Sequence, residues 1–220
     1  MTTTQPTRAG SESFAPLFAR PHPWHGLSPG PNPPTVVQVY IEMTPLDRVK
    51  YEIDKEVGYL RVDRPQGTSS LLPTLYGFIP RTYCSRKVAA CTPHATEGDL
   101  DPLDVCVLSD RPIDRAEILL DAKVVGGLNT VDHGRADEKI IAILKNDPVL
   151  GHVEDLDDLP TDIIYRLEHY FSTYKKPSPR EASPLKVVGM MNAELSRKVV
   201  AAAIEDYLDE FGEVHWPTLL

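Results

Sequence analysis

The chain has 220 residues, with 23 Lys+Arg against 32 Asp+Glu, so its formal net charge is −9. Hydrophobic residues make up 41% and charged residues 25%, near the averages for globular proteins, which excludes a mainly disordered or fibrous chain. The acidic balance argues against a protein that coats nucleic acid or an anionic membrane, but not against an anionic substrate in a cleft where cations reverse the local field.

Residues 1–34 hold eight of the 21 prolines and only three charged residues, Arg8, Glu12 and Arg20. Proline fixes φ and removes backbone donors, so this segment reads as an arm rather than a helix or central strand. Met1–Pro6 lacks the apolar core of a secretory signal, and no apolar run approaches the ~20 residues a membrane helix needs. Trp24, in Pro21-His22-Pro23-Trp24-His25, implies that the arm docks from about residue 21 onward. The remainder, 35–220, reads as a single domain. Three cysteines, Cys84, Cys91 and Cys106, are an odd and sparse set that fits a reducing compartment, so the expected location is the cytoplasm.

From Val36 the pattern is extended. Val37, Val39 and Ile41 alternate with Gln38, Tyr40 and Glu42, and Val49–Ile53 alternates in the same way, placing Lys50 beside Glu52 on one face. Further strands are expected at 58–63, 104–108, 122–128 and 139–144. Their spacing suits an antiparallel barrel of about five strands rather than βαβ units. Helices come late: Pro160–Lys175 carries Ile163, Ile164, Leu167, Tyr170, Phe171 and Tyr174 at helical spacing. A second helix is expected from Asn192, as N-cap, to Phe211 ahead of Gly212. Strands first and helices last make the class α+β.

The chemistry concentrates in Glu97-Gly98-Asp99-Leu100-Asp101-Pro102-Leu103-Asp104. Carboxylates this close repel one another and call for cations or shifted protonation, and oxygen ligands at this density suit Mg²⁺ or Mn²⁺. An EF-hand is excluded, because its glycine position, counted from Asp99, is Asp104. A second acidic loop, Asp132-His133-Gly134-Arg135-Ala136-Asp137, could supply further ligands and leads into Lys139. The run Glu154–Asp158 has the simpler role of favouring a helix N-terminus. Lys50, Arg64, Tyr76, Tyr174 and Lys175 fall at strand and helix ends. Singly each suits a surface or core position; together with the carboxylates they describe a site for a phosphate-rich anion.

In order and spacing, the blocks Val49–Lys55, Val62-Asp63-Arg64, Pro73–Phe78, Gly98–Val105, Asp132–Lys139 and His169–Lys175 resemble soluble family I inorganic pyrophosphatase, from about Trp24 to Glu194. The resemblance implies an OB-like five-stranded antiparallel β-barrel with flanking helices, two of them C-terminal, and Mg²⁺-dependent hydrolysis of pyrophosphate to two phosphates. Several Mg²⁺ ions per site are implied, with Mn²⁺ as a substitute. It further implies that Asp99, Asp104 and Asp137 hold the first metal, with Asp104 also touching the second. Asp132 and Asp137 would serve a metal arriving with substrate, and Glu42 and Glu52 would contribute through water. Asp101 matches the general base. Lys50, Arg64, Tyr76, Tyr174 and Lys175 match the phosphate binders, with Lys139 in support. A homo-oligomer, such as a hexamer, is implied, with no nucleic-acid or membrane partner.

The sequence departs from compact members over Arg81–Glu97, which is longer and includes Cys84, Cys91 and His94; a zinc knuckle there would need a fourth ligand, and none is evident. Lys176, Arg180 and Lys186 are alternative candidates for a further basic residue. Two rival readings remain. An OB-fold module for single-stranded nucleic acid would need exposed aromatics on a basic groove. A metal phosphohydrolase acting on nucleotides or polyphosphate would share the chemistry.

Overall fold

A computed structural model describes residues 20–176, 178 and 180–212. Of the arm expected over residues 1–34, the first 19 residues lie outside them. In chain order the strands are β1 (Val36–Met43), β2 (Val49–Ile53), β3 (Leu60–Pro65), β4 (Leu75–Phe78), β5 (Glu97–Gly98), β6 (Asp104–Leu108), β7 (Leu119–Asp132), β8 (Arg135–Ala136), β9 (Lys139–Leu144) and β10 (Leu185–Asn192). The helices are α1 (Arg86–Ala89), α2 (Thr161–Thr173) and α3 (Ala193–Phe211).

Five strands close a ring in the order β1-β4-β6-β9-β7, with β7 pairing back to β1. Four of these pairings are antiparallel, as expected, but β6–β9 is parallel. That pairing corrects the wholly antiparallel expectation: β7 and β8 intervene in the chain, so β9 enters beside β6 in the same direction. β7 is longer than the expected 122–128 because it pairs with β1 through its first half and with β10 through its second, with β9 bonded across the middle. A register shift between Val124 and Gly126 accommodates the bend. The sheet plus late helices form an OB-like α+β fold.

Both faces of β6 and β9 are covered, which explains their almost unbroken apolar sequences. Val105, Val107, Ile140 and Ala142 pack with Val199, Val200 and Ala203 of α3. Their neighbours Cys106, Leu108, Ile141 and Ile143 pack with Ile164, Leu167, Tyr170 and Phe171 of α2. As expected, the Asn192 side chain caps α3, accepting from the Leu195 N–H at 2.9 Å. β3 begins two residues later than expected, because Gly58, at φ 72, closes the hairpin turn from β2. β4 and β10 were not anticipated as strands.

Trp24 is buried, 4% exposed, and donates from Nε1 to the Thr82 carbonyl at 2.8 Å. It stacks on His25 and meets Phe211 edge-on. The insertion folds back on α3: Asp206 accepts from the amides of Ser85, Lys87 and Val88 at 3.0–3.1 Å, holding the start of α1.

Candidate active site

The acidic loop before β6 is shaped by backbone contacts. Leu100 adopts φ 68, and the Asp99 carboxylate accepts from the Asp101 N–H at 3.1 Å, a tight turn that presents successive aspartates differently. Cys84, in the irregular stretch before α1, holds this turn on both sides: its N–H donates to the Asp101 carbonyl at 2.8 Å, and its carbonyl accepts from the Leu100 N–H at 3.0 Å. Gly98 permits the close approach, since a Cβ there would lie 2.0 Å from the Cys84 carbonyl oxygen.

Above this loop lies a cleft of about 420 Å³. Glu42 from β1, Lys50 and Glu52 from β2, Tyr76 from β4 and the loop aspartates Asp99, Asp101 and Asp104 line it. Asp132, at the end of β7, Asp137 and Lys139 enter from the second acidic loop, and Tyr174 and Lys175 from the end of α2. Twelve of the thirteen residues expected in the site therefore meet in one place. Arg64 does not line the cleft. It sits on β3 opposite Lys50, and its guanidinium pairs with Asp63, which also receives Lys50 at 3.5 Å. Lys176, Arg180 and Lys186 are also absent from the described lining.

Sequence reasoning did not place Lys55, Glu97, His133 and Arg135 in the cleft. Lys55 pairs with Asp101, and Arg135 bonds Glu97 at 2.9 Å on the rim. Lys55 lies within a block carrying the family resemblance, which was the one available signal for it.

Eight carboxylates and five Lys or Arg side chains line the cleft, an excess of three negative charges when all are ionised. The lysines stand between the acids. Lys139, only 1% exposed, donates to both Asp104 and Asp137, and Asp104 also receives the Tyr76 hydroxyl. Lys175 donates to Asp132 at 2.7 Å and lies 3.5 Å from Asp137. Lys50 pairs with Glu52.

Burial and the facing Asp137 push Asp99 up to about 9, and burial with repulsion from Asp104 lifts Glu42 to about 8. Burial likewise raises Asp104. For Asp137 burial acts upward too, but Lys139 and Lys175 outweigh it and hold the carboxyl below its usual value. Burial works against the Lys139 ammonium, yet Asp104 and Asp137 more than offset it, so its pKa rises well above that of free lysine.

These are the properties of a cation site. All the candidate ligands are hard carboxylate oxygens, Glu42 and Asp99 are held above their ordinary pKa by burial and by neighbouring carboxylates, and Asp132 Oδ1 is buried without a hydrogen-bond partner. Among the described residues no three His, Cys, Asp or Glu side chains are drawn around a single point. The ammonium groups of Lys139 and Lys175 lie between the acids instead. The residue set fits divalent ions of the Mg²⁺ type.

The family described as Inorganic pyrophosphatase matches residues 39–208. A relative named inorganic pyrophosphatase from Chlamydia caviae is 40% identical over 209 residues, covering 90% of this chain and 96% of its own. A soluble inorganic pyrophosphatase from Zea mays is 34% identical, covering 84% and 79%. Among solved structures, an inorganic pyrophosphatase from Thermus thermophilus superposes with a TM-score of 0.72 at 31% identity, covering 84% of this chain and 98% of that one. With a family match running from within β1 to within α3, and relatives alike over 79–98% of their own length, this chain belongs to the inorganic pyrophosphatases.

Proposed function

We propose that the chain is an inorganic diphosphatase: it hydrolyses pyrophosphate to two orthophosphates with divalent cations, Mg²⁺ first and Mn²⁺ as a substitute. The observation that carries this reading is the convergence of carboxylates from two acidic loops with lysines and tyrosines from β2, β4, β9 and the end of α2 on one cleft. Asp99, Asp104 and Asp137 would hold the first metal, Asp104 would reach a second, and Asp132 and Asp137 would serve an ion entering with substrate. Glu42 and Glu52 would act through water.

When bound, such ions lower the pKa of a coordinated water and neutralise charge on the transferring phosphoryl group. Asp101 is suited to take the water's proton because it stands near the mouth of the cleft, its side chain 43% exposed, while Asp104 and Asp137 are held inward by Lys139. Lys50, Tyr76, Tyr174 and Lys175 would donate to phosphate oxygens, and Lys139 would keep the neighbouring aspartates apart. Arg64 joins this set if its guanidinium leaves Asp63 for substrate. Pyrophosphate and phosphate are thus the small-molecule partners, without nucleic acid or membrane.

The buried Trp24 supports reading residues 1–34 as an arm, docked from about 21, on a single catalytic domain over 35–220. A cytoplasmic homo-oligomer, a hexamer by family resemblance, completes the reading. Among the described residues no helix is long and apolar enough to cross a membrane.

The test is phosphate release from pyrophosphate, a nucleoside triphosphate and a linear polyphosphate, each with Mg²⁺ and with chelator. Turnover of pyrophosphate alone, abolished by chelation, is expected. Equal turnover of the triphosphate would favour a general metal phosphohydrolase, and full activity in metal-free protein would overturn the proposal.

A further inference from the structure

Glu138 lies in sequence between Asp137 and Lys139, both of which line the cleft, but its own side chain is not part of that lining. It is 1% exposed and turns into the interior. There its carboxylate accepts from the Thr92 hydroxyl, from Asn129 Nδ2 at 3.1 Å and from the Thr130 N–H at 3.3 Å. All three partners are neutral and buried. An interior carboxylate bonded only to neutral groups is an expensive way to fill space, since desolvating a charge is unfavourable unless strong partners compensate.

The contacts around it have a direction. Thr130 receives the Asp137 N–H on its carbonyl at 3.0 Å and donates its hydroxyl to the Asp137 carbonyl. The Glu138 side chain is thus anchored on Asn129 and Thr130 of β7, and Thr130 in turn holds the backbone of Asp137, the residue before it. Thr92 belongs to the long Arg81–Glu97 segment, so the same carboxylate ties that segment to the second acidic loop. Across the segment, Cys84 holds the first acidic loop through Leu100 and Asp101.

We propose that Glu138 is a positioning residue: with Thr92 it forms a clasp through which the 81–97 segment fixes the directions of Asp137 and Lys139 in the cleft. The proposal rests on reading Asp137 as a metal ligand, and residues that orient ligands typically change metal affinity by ~10–100-fold when removed.

The test is Mn²⁺ binding to the full-length protein without substrate, read by electron paramagnetic resonance of the free ion, together with kcat, KM and the thermal midpoint. Asp137→Asn serves as the reference variant. Thr92→Val is expected to weaken Mn²⁺ binding by ~10-fold and to lower kcat more than it raises KM, at a thermal midpoint close to wild type. Thr92→Ser keeps the hydroxyl and should restore binding. Glu138→Gln should act in the same sense, and combining it with Thr92→Val should add little. Should Glu138→Gln not fold, the Thr92→Val and Thr92→Ser pair decides. Wild-type Mn²⁺ binding in Thr92→Val, alongside weakened binding in Asp137→Asn, overturns the clasp and leaves the metal site standing. Unchanged binding in Asp137→Asn overturns both. Weakened binding that Thr92→Ser fails to rescue, or that only follows a fallen midpoint, also overturns the clasp.

Discussion

Lys55 and Asp101, 46 residues apart in the chain, form an ion pair at the mouth of the cleft. Both side chains are about half exposed, 50% and 43%, so solvent screens the pair and its contribution to stability is within about 1 kcal/mol. Lys55→Met should therefore shift the thermal midpoint by no more than about 2–4 °C for a domain of this size. A drop of 10 °C or more in a melting curve would show that the contact is structural.

Asp101 and Asp104 should separate on substitution although three positions apart. Asp104 is tied to Lys139 and Tyr76 inside the cleft, whereas the Asp101 carboxylate meets the half-exposed Lys55 at its mouth. Asp101→Asn is expected to reduce kcat by ~10²–10⁴ with Mg²⁺ affinity largely kept, while Asp104→Asn should weaken Mg²⁺ binding itself. Titrations of activity against Mg²⁺ for the two variants check this, and equal loss of affinity in both would reverse the assignment.

The proposed phosphate donors are tested by Arg64→Lys and Tyr174→Phe. Tyr174 stacks on Tyr170, with ring centres 4.9 Å apart, and the phenylalanine keeps that stacking. Its thermal midpoint should hold while KM or kcat worsens, since a hydrogen bond to a charged group is worth about 1.5–3 kcal/mol, roughly one to two powers of ten. Arg64→Lys should also impair turnover if the guanidinium swings from Asp63 to substrate, because a point charge lacks the planar fork. Wild-type kinetics for Arg64→Lys would leave Arg64 as the surface residue its present pairing describes.

His25 supplies a pH dependence. Burial, with the neighbouring charges of His22 and Arg81, lowers its pKa to about 4, and its Nδ1 lies 2.7 Å from the Tyr207 hydroxyl. An unfolded histidine titrates near ~6.5, so between about 4 and 6.5 the unfolded chain binds more protons at this position. The His25 contribution to stability is therefore complete above about 6.5 and is lost as pH falls toward 4. Denaturant midpoints from pH 4 to 8 should fall on the acid side, and His25→Asn should flatten that fall. An equal slope in the variant would place the titration elsewhere.

Trp24 anchors the segment that leads into β1. Trp24→Ala removes a buried aromatic, typically a loss of about 3–5 kcal/mol, and should lower the thermal midpoint by roughly 10 °C. Deleting residues 1–19, ahead of every candidate ligand, should leave kcat and the midpoint near wild type. Loss of catalysis in that deletion, with folding intact, would assign the tail a part in the chemistry.

Local spacing was enough to read the acidic loop Asp99–Asp104, because three carboxylates and a proline lie within six residues and their repulsion is a property of the chain itself. The same holds for α2, whose apolar stripe repeats every three or four residues, and for the Asn192 cap of α3. The order of the blocks carried the family resemblance and, with it, twelve residues that do line the cleft. Tertiary structure alone decided the parallel β6–β9 pairing, the distance of Arg64 from the cleft, and the contacts of Lys55 with Asp101 and Glu138 with Thr92. Each of these joins or separates residues through strand order and chain crossings rather than through local period. β4 escaped notice for a related reason: four residues including Gly77 are too few to show a period. Glu138 reads in sequence as one more acid in an acidic loop; only the pairing of β9 with β7, which sets Asn129 and Thr130 beside it, and the arrival of Thr92 from the 81–97 segment show that it turns inward.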